Sequence, residues 1–258
     1  MTIESAERVS ATDGSDNFVF QRSILAYYRA AELVGGRVLE IGTGSGYGVE
    51  LIAPHAEGFV TIDKTPTRAD LSGYDNVTFM QMKVPPMREI ASCSFDWVIT
   101  FQVIEHIKQD IEFLREIHRV LRPGGRLVIT TPNRTMSLTR NPWHVREYTV
   151  DQFSTLLSSI FDEVELQGVF GDKKVMDYYY KNRQAVKKIT RFDFFDLQHR
   201  LPRRLLQIPY DILNRRNRRK LLADNRDLTT GIRMEDYFLA PADDHCFDLL
   251  AVAVKKGE

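Results

Sequence analysis

Residues 37–48 read RVLEIGTGSGYG, and this stretch decides the fold. The run RVLEI (37–41) has the branched aliphatic composition of a buried strand. It passes without a spacer into a loop with glycine at three alternate positions, Gly42, Gly44 and Gly46. Glycine there lets the backbone turn sharply and approach a ligand with no Cβ in the way. A helical pattern resumes over residues 47–56, so the loop presents the first N–H groups of a helix, which suit a carboxylate or phosphate. Strand, glycine loop and helix form the first unit of an open α/β sheet, where ligands bind beyond the carboxyl ends of the strands.

Upstream, residues 18–33 have helical spacing, with Phe20, Ile24, Tyr27, Tyr28 and Ala31 as apolar positions and Gly35-Gly36 as the stop. Downstream, strands are expected at 58–62 (closed by Asp63), 76–80, 95–101, 126–131, 163–170 and 247–255. Helices are expected from Asp110, with Ile111, Leu114, Ile117 and Leu121 on one face, and over 150–160. Pro123-Gly124-Gly125 ends the first of these and Pro132-Asn133 breaks the strand that follows. Strands alternating with helices predict an α/β doubly wound, mainly parallel sheet with right-handed crossovers.

The 258 residues suit one such domain with an embellishment. Residues 1–17 are polar and read as a flexible N-terminus, 18–170 plus 247–258 as the sheet domain, and 171–246 as a basic helical insertion or lid. The formal net charge is zero, so the whole-chain balance does not point to a polyanionic partner. Within 171–220, however, fifteen Lys/Arg stand against five Asp/Glu. Cys93 and Cys246 lie far apart and beside apolar residues. Together with the lack of a signal-like N-terminus or an apolar run of membrane length, they lead us to expect a cytoplasmic protein with two inert buried thiols.

A dinucleotide fingerprint requires Gly-x-Gly-x-x-Gly, but here the third glycine comes one residue early and Tyr47 stands in its place. That argues against a nicotinamide cofactor. Asp63 can accept both hydrogen bonds of a ribose diol and fits either cofactor class. The segments VLEIGTGSG (38–46), VTID (60–63), SFDWVITFQVIEHI (94–107) and FLREIHRVLRPGGRLVITTPN (113–133) together resemble the class I S-adenosylmethionine-dependent methyltransferase family. The branch is the one that includes ubiquinone-pathway and type 11 methyltransferases, and the resemblance covers residues 18–170 plus the last strand.

The resemblance implies a seven-stranded Rossmann-like sheet of order 3-2-1-4-5-7-6 with strand 7 antiparallel, and S-adenosylmethionine as cofactor. It implies that Glu40 and the loop Gly42, Thr43, Gly44 and Gly46 hold the methionine end, that Asp63 binds the ribose, and that Lys64 flanks the adenine. Phe101, at the end of the fourth strand, and Gln102, just after it, are also expected to contact the cofactor. Lys83 stands where the family usually has an acidic residue that accepts from the adenine amino group. A lysine only donates, so the adenine is expected to be read by backbone near Val84 and by apolar stacking.

Methyl transfer is an in-line displacement in which positioning supplies much of the rate. A hydroxyl acceptor must also lose its proton, to a general base or through a metal. Glu105 and His106, after the fourth strand, and His144, after the fifth, are the candidate catalytic residues. Small-RNA 3′-end methyltransferases of this family carry Glu-x-x-Glu-His and a later His that hold a divalent metal on vicinal hydroxyls. This chain matches at Glu105, His106 and His144 but has Gln102 in the first position. One carboxylate and two imidazoles suit a transition metal, whereas an amide weakens a hard cation. The alternative makes His106 a base or a helix cap. Trp143, Arg146 and Tyr148 either line an acceptor pocket or form a packed turn, and His118 reads as structural.

The insertion mixes aromatics (Tyr178, Tyr179, Tyr180, Phe192, Phe194, Phe195) with arginine clusters. It reads as a lid with a solvated basic face, as a grip on an anionic or sugar-containing small-molecule acceptor, as peripheral membrane contact through 175–222, or as a track for single-stranded nucleic acid. Pro202 and Pro209 argue against one continuous amphipathic helix there. The expected function is O-methylation of a sugar or small-metabolite hydroxyl. The alternatives are RNA 3′-end 2′-O-methylation and a non-catalytic cofactor-binding scaffold.

Overall fold

The structure, a computed structural model, describes residues 9–67, 69–191 and 197–257, without the side chains of Leu197 and His199. Residues 1–8 of the expected flexible segment, and Phe192, Phe194 and Phe195 of the insertion, lie outside the described residues. The chain runs α1 (Asn17–Ala31), β1 (Arg37–Ile41), α2 (Val49–Ile52), β2 (Gly58–Asp63), β3 (Val77–Gln81), β4 (Phe95–Phe101), α3 (Asp110–Val120), β5 (Leu121–Pro132), α4 (Val150–Ser158) and β6 (Glu163–Gly171). The insertion follows as α5 (Lys173–Thr190), α6 (Leu197–Arg200), α7 (Arg203–Asp224), α8 (Arg226–Gly231) and β7 (Tyr237–Pro241), before β8 (Asp248–Val254).

The strands form one sheet in the order β3-β2-β1-β4-β5-β8-β6-β7. β1 to β5 pair in parallel, and β8 is antiparallel to both β5 and β6. The expected order therefore holds with one addition: β7, inside the segment read as helical, pairs antiparallel with β6 and extends the sheet to eight strands. Side chains alternate across the strands. Leu39, Ile41, Val98 and Ile129 pack with Phe113, Leu114 and Ile117 of α3 and Phe153 and Leu157 of α4. Val38, Ile99 and Val128 pack on the opposite side with Tyr27 and Ala30 of α1 and Val49 and Ile52 of α2.

Several sequence expectations are corrected. α3 buries Phe113, Leu114, Ile117 and Val120, so its inward face is rotated from the one expected and Ile111 is exposed. Cys93 is exposed; Cys246 alone is buried. The N-terminal stretch is built into the fold from Gly14 onward. Gly14–Asp16 forms a 3-10 turn capped by the Asp13 side chain, and Asp16 is fully buried. α7 is one helix across Pro209, not two. Pro209 is exposed, as is Leu205 one turn earlier, so the carbonyl left without a helical partner lies on the wet side of the helix.

Candidate functional site

The site gathers at the carboxyl ends of β1, β4 and β5. Gly42, Gly44 and Gly46 all have positive φ, at 99°, 56° and 83°. At Gly42 a Cβ would lie 2.5 Å from Val103 Cγ2, so both the conformation and the space demand glycine. The loop is tied to β2: Gly42 N–H and Thr43 N–H donate to the Ile62 carbonyl, at 2.8 and 3.2 Å. Gly44 N–H donates to Asp63 Oδ2 at 3.0 Å, and Thr65 holds Oδ1 through its N–H and hydroxyl at 2.9 and 2.8 Å. Each carboxylate oxygen keeps acceptor capacity beyond these bonds.

This loop opens on a cavity of about 1220 Å³. Gly42, Thr43, Gly44, Asp63, Lys64, Val84, Phe101 and Gln102 line it, and so does Lys83 at an exposed position. Glu40 and Gly46 are not in its wall. Glu40 is buried behind the loop, where its carboxylate accepts from Tyr27 Oη at 2.7 Å and from the Thr61 hydroxyl. Burial pushes its carboxyl up to about 7, against the lowering by those two hydroxyls and with a further rise from Asp63. Gln102 has φ 56°, an uncommon backbone for this residue type, held by Gln102 N–H to Thr130 O at 3.1 Å.

The same cavity is lined by Glu105, His106 and His144. One ligand atom from each lies within 4.8 Å of the others, and Glu105 is buried. The β5-to-α4 segment places His144: the Glu105 carbonyl accepts from Val145 N–H at 2.6 Å, and Asn133 Nδ2 donates to the carbonyls of Asp243 and Cys246, each at 3.0 Å. His106 Nδ1 is 3.1 Å from the Trp143 carbonyl, which can only accept. Nδ1 therefore carries the proton and Nε2 is the basic nitrogen of the neutral ring. His144 Nδ1 donates to Glu147 Oε1 at 2.6 Å, and its Nε2 accepts from Asn141 Nδ2 at 2.9 Å. The two rings meet edge to face with centroids 5.0 Å apart.

A divalent metal fits this set poorly. Both nitrogens of His144 are engaged by neighbouring side chains, Glu105 Oε2 accepts from Thr131 Oγ1 at 3.1 Å, and Gln102 offers an amide where a hard cation favours a carboxylate. Trp143, Arg146 and Tyr148 belong to a packed turn rather than the cavity wall. Arg146 pairs with Asp110 Oδ2 at 3.0 Å, buried Tyr148 donates to the same oxygen at 2.9 Å, and Trp143 Nε1 donates to Asp211 Oδ1 at 3.0 Å.

Sequence reasoning missed a buried ion pair in the wall, Arg22 Nε with Asp248 Oδ2 at 2.8 Å. Burial raises the Asp248 carboxyl and the Arg22 guanidinium opposes the rise. A carboxylate opening the apolar run DLLAVAV was the available signal. The outer part of the cavity, lined by Met136, Leu138, Val186, Leu206 and Tyr210, is contributed by the β5-to-α4 segment and by α5 and α7. The insertion thus forms part of the site.

Residues 16–172 match the family model described as a methyltransferase domain. A probable S-adenosylmethionine-dependent methyltransferase of Mycolicibacterium smegmatis is 30% identical over 97% of this chain and 94% of its own length. A ubiquinone biosynthesis O-methyltransferase of Xanthomonas oryzae pv. oryzae is 32% identical over 40% of this chain and 46% of its own. Among solved structures, an S-adenosylmethionine-dependent methyltransferase from Thermotoga maritima superposes with a TM-score of 0.55 at 14% identity, covering 93% of this chain and 92% of that one, a likeness of fold.

Proposed function

This chain belongs to the S-adenosylmethionine-dependent class I methyltransferase family, and from that premise we propose that it methylates a hydroxyl oxygen of a small or sugar-containing acceptor. The observation that carries the reading is the His106 imidazole, fixed in one tautomer by the Trp143 carbonyl and set in the wall of the cavity that the glycine loop opens. S-adenosylmethionine, when bound, supplies an electrophilic methyl group on a sulfonium sulfur. The glycine loop would hold the cofactor's amino-acid end and Asp63 its ribose, Lys64 and Val84 would flank its adenine, and Glu40 would support the loop from behind.

His106 Nε2 takes the proton of the acceptor hydroxyl as the oxygen attacks the methyl carbon. The bound cofactor would supply that methyl group and would retain the bonding pair on its sulfur, so the transfer balances. Glu105 and the His144–Glu147 pair favour the imidazolium that forms. About 1220 Å³ is more than one drug-sized ligand requires, leaving room for donor and acceptor together. That one similar protein is named an O-methyltransferase supports oxygen as the acceptor atom.

The test is calorimetry with S-adenosylhomocysteine, then methyl-transfer assays on a panel of sugar, nucleotide-sugar and phenolic hydroxyls. His106→Ala should keep product affinity and lower turnover by about a hundred- to ten-thousand-fold. A chelator should leave wild-type turnover unchanged. Loss of activity on chelation would replace the base by a metal at Glu105, His106 and His144, and no heat with the nucleoside would end the reading.

A further inference from the structure

α7 carries an exposed aliphatic stripe beside the mouth of the cavity. Leu205, Ile208, Ile212 and Leu213 are 64%, 62%, 50% and 45% exposed, although each is large and apolar. Arg204, Arg216, Arg219 and Lys220 are exposed on the same helix. At about 100° per residue these positions fall within one half of the helix circumference, the aliphatics lying between Arg204 at the N-terminal end and Arg216, Arg219 and Lys220 toward the C-terminal end. Asp211, the acidic residue in the middle of the helix, is turned inward against Trp143. The apolar surface also continues into the site: Pro209 and Leu213 of α7 and Ile189 of α5 are exposed and line the cavity. Lys187 and Lys188 of α5 add exposed positive charge beside Ile189.

We propose that this face of α7 seats on an anionic phospholipid bilayer, with the cavity mouth at the lipid surface. Aliphatic side chains suit the acyl boundary, and the flanking cations complement anionic headgroups. Single-stranded nucleic acid fits less well, because base stacking needs aromatic rings and the exposed stripe is aliphatic. Residue-scale cost points the same way, since a contiguous aliphatic patch at a cavity mouth marks an interaction surface. The docking stands independently of the methyl-transfer reading.

The experiment is co-sedimentation of the full chain with phosphatidylcholine vesicles, with and without phosphatidylglycerol, across a salt series. Wild type should pellet with the phosphatidylglycerol vesicles at low salt and be released as salt rises. The triple variant Leu205→Ser, Ile208→Ser, Ile212→Ser should lose most of that binding, and Arg216→Gln with Lys220→Gln should weaken it about thirtyfold. None of these five residues lines the cavity, so unchanged heat with S-adenosylhomocysteine verifies that both variants fold. Wild type that stays in the supernatant, or a triple variant that pellets like wild type, overturns the proposal. It is overturned equally if the triple variant converts a lipid-free dimer to monomer, which assigns the stripe to a second copy. Binding of a single-stranded oligonucleotide without any vesicle binding assigns it to nucleic acid.

Discussion

Glu40 shows how a strand's alternation decides the role of a residue. The sequence puts a carboxylate one residue short of the end of β1, ahead of the glycine loop, where the family resemblance makes it a cofactor contact. In the fold, Glu40 shares its strand face with Val38, which packs under α1, so its side chain meets Tyr27 instead of the cavity. Which α1 residue it meets depends on tertiary packing that no local pattern encodes. Its carboxyl is raised from the ordinary 4.5 to about 7 by burial, so its neutral form is favoured in the folded state. Stability from this group is therefore fully present below about 4.5 and is lost as pH rises through about 7. Thermal or urea melts of wild type and Glu40→Gln across that range should show the wild type losing up to about 3 kcal/mol relative to the variant. Parallel pH profiles would contradict the assignment. His106 is a complementary case. Its position after β4 was legible in the sequence, but its tautomer was not, because the Trp143 carbonyl that fixes it comes from 37 residues further along.

The insertion helices are held by a charge that the sequence disguises. Asp16 is fully buried and pairs with Arg215 and Arg218, each at 2.8 Å, across 199 and 202 residues of chain. Polar composition alone reads residues 1–17 as flexible; the partners that order this turn lie in α7. The same contact explains why two of the arginines counted as a solvated basic face are largely covered. Asp16→Ala would leave two guanidinium groups around a site stripped of its charge. It should destabilise the chain by about 3–5 kcal/mol in urea melts and speed proteolysis within 203–224. A variant that melts with the wild type would show that the clamp contributes nothing. The start of α4 was legible because its signal is local, Thr149 and Gln152 forming a complete capping box before it, whereas α3 has no side-chain cap and turns a different face inward from the one its spacing suggested.

Across the whole molecule, the alternation of strands and helices was enough to predict a doubly wound, mainly parallel sheet, while the strand order from β3 to β8 was legible only through the family resemblance. The eighth strand was not legible. Tyr237–Pro241 is a five-residue run ending in proline, and its extended form depends on pairing with β6 rather than on its own propensity. The cavity was legible by halves. The glycine loop and Asp63 announce the cofactor end, while the far end is assembled from α5, α7 and the β5-to-α4 segment, whose approach is a tertiary fact. Among the described residues, hydrogen bonds that join that segment to the insertion include Arg203 to the His144 carbonyl, Trp143 to Asp211, Arg140 to the Gln198 carbonyl, Tyr179 to the Met136 carbonyl and Thr135 to the Asp244 carbonyl.

Because β7 is sewn along Gln167–Gly171 of β6, residues 171–246 cannot be trimmed away to leave a tidy minimal enzyme. Excision would strip β6 of its outer neighbour and leave a row of unsatisfied amides and carbonyls, a template on which further copies would stack. A truncated chain lacking 171–246 should therefore elute as aggregate in size-exclusion chromatography. One that keeps β7 and shortens only the helical part should run as the parent does.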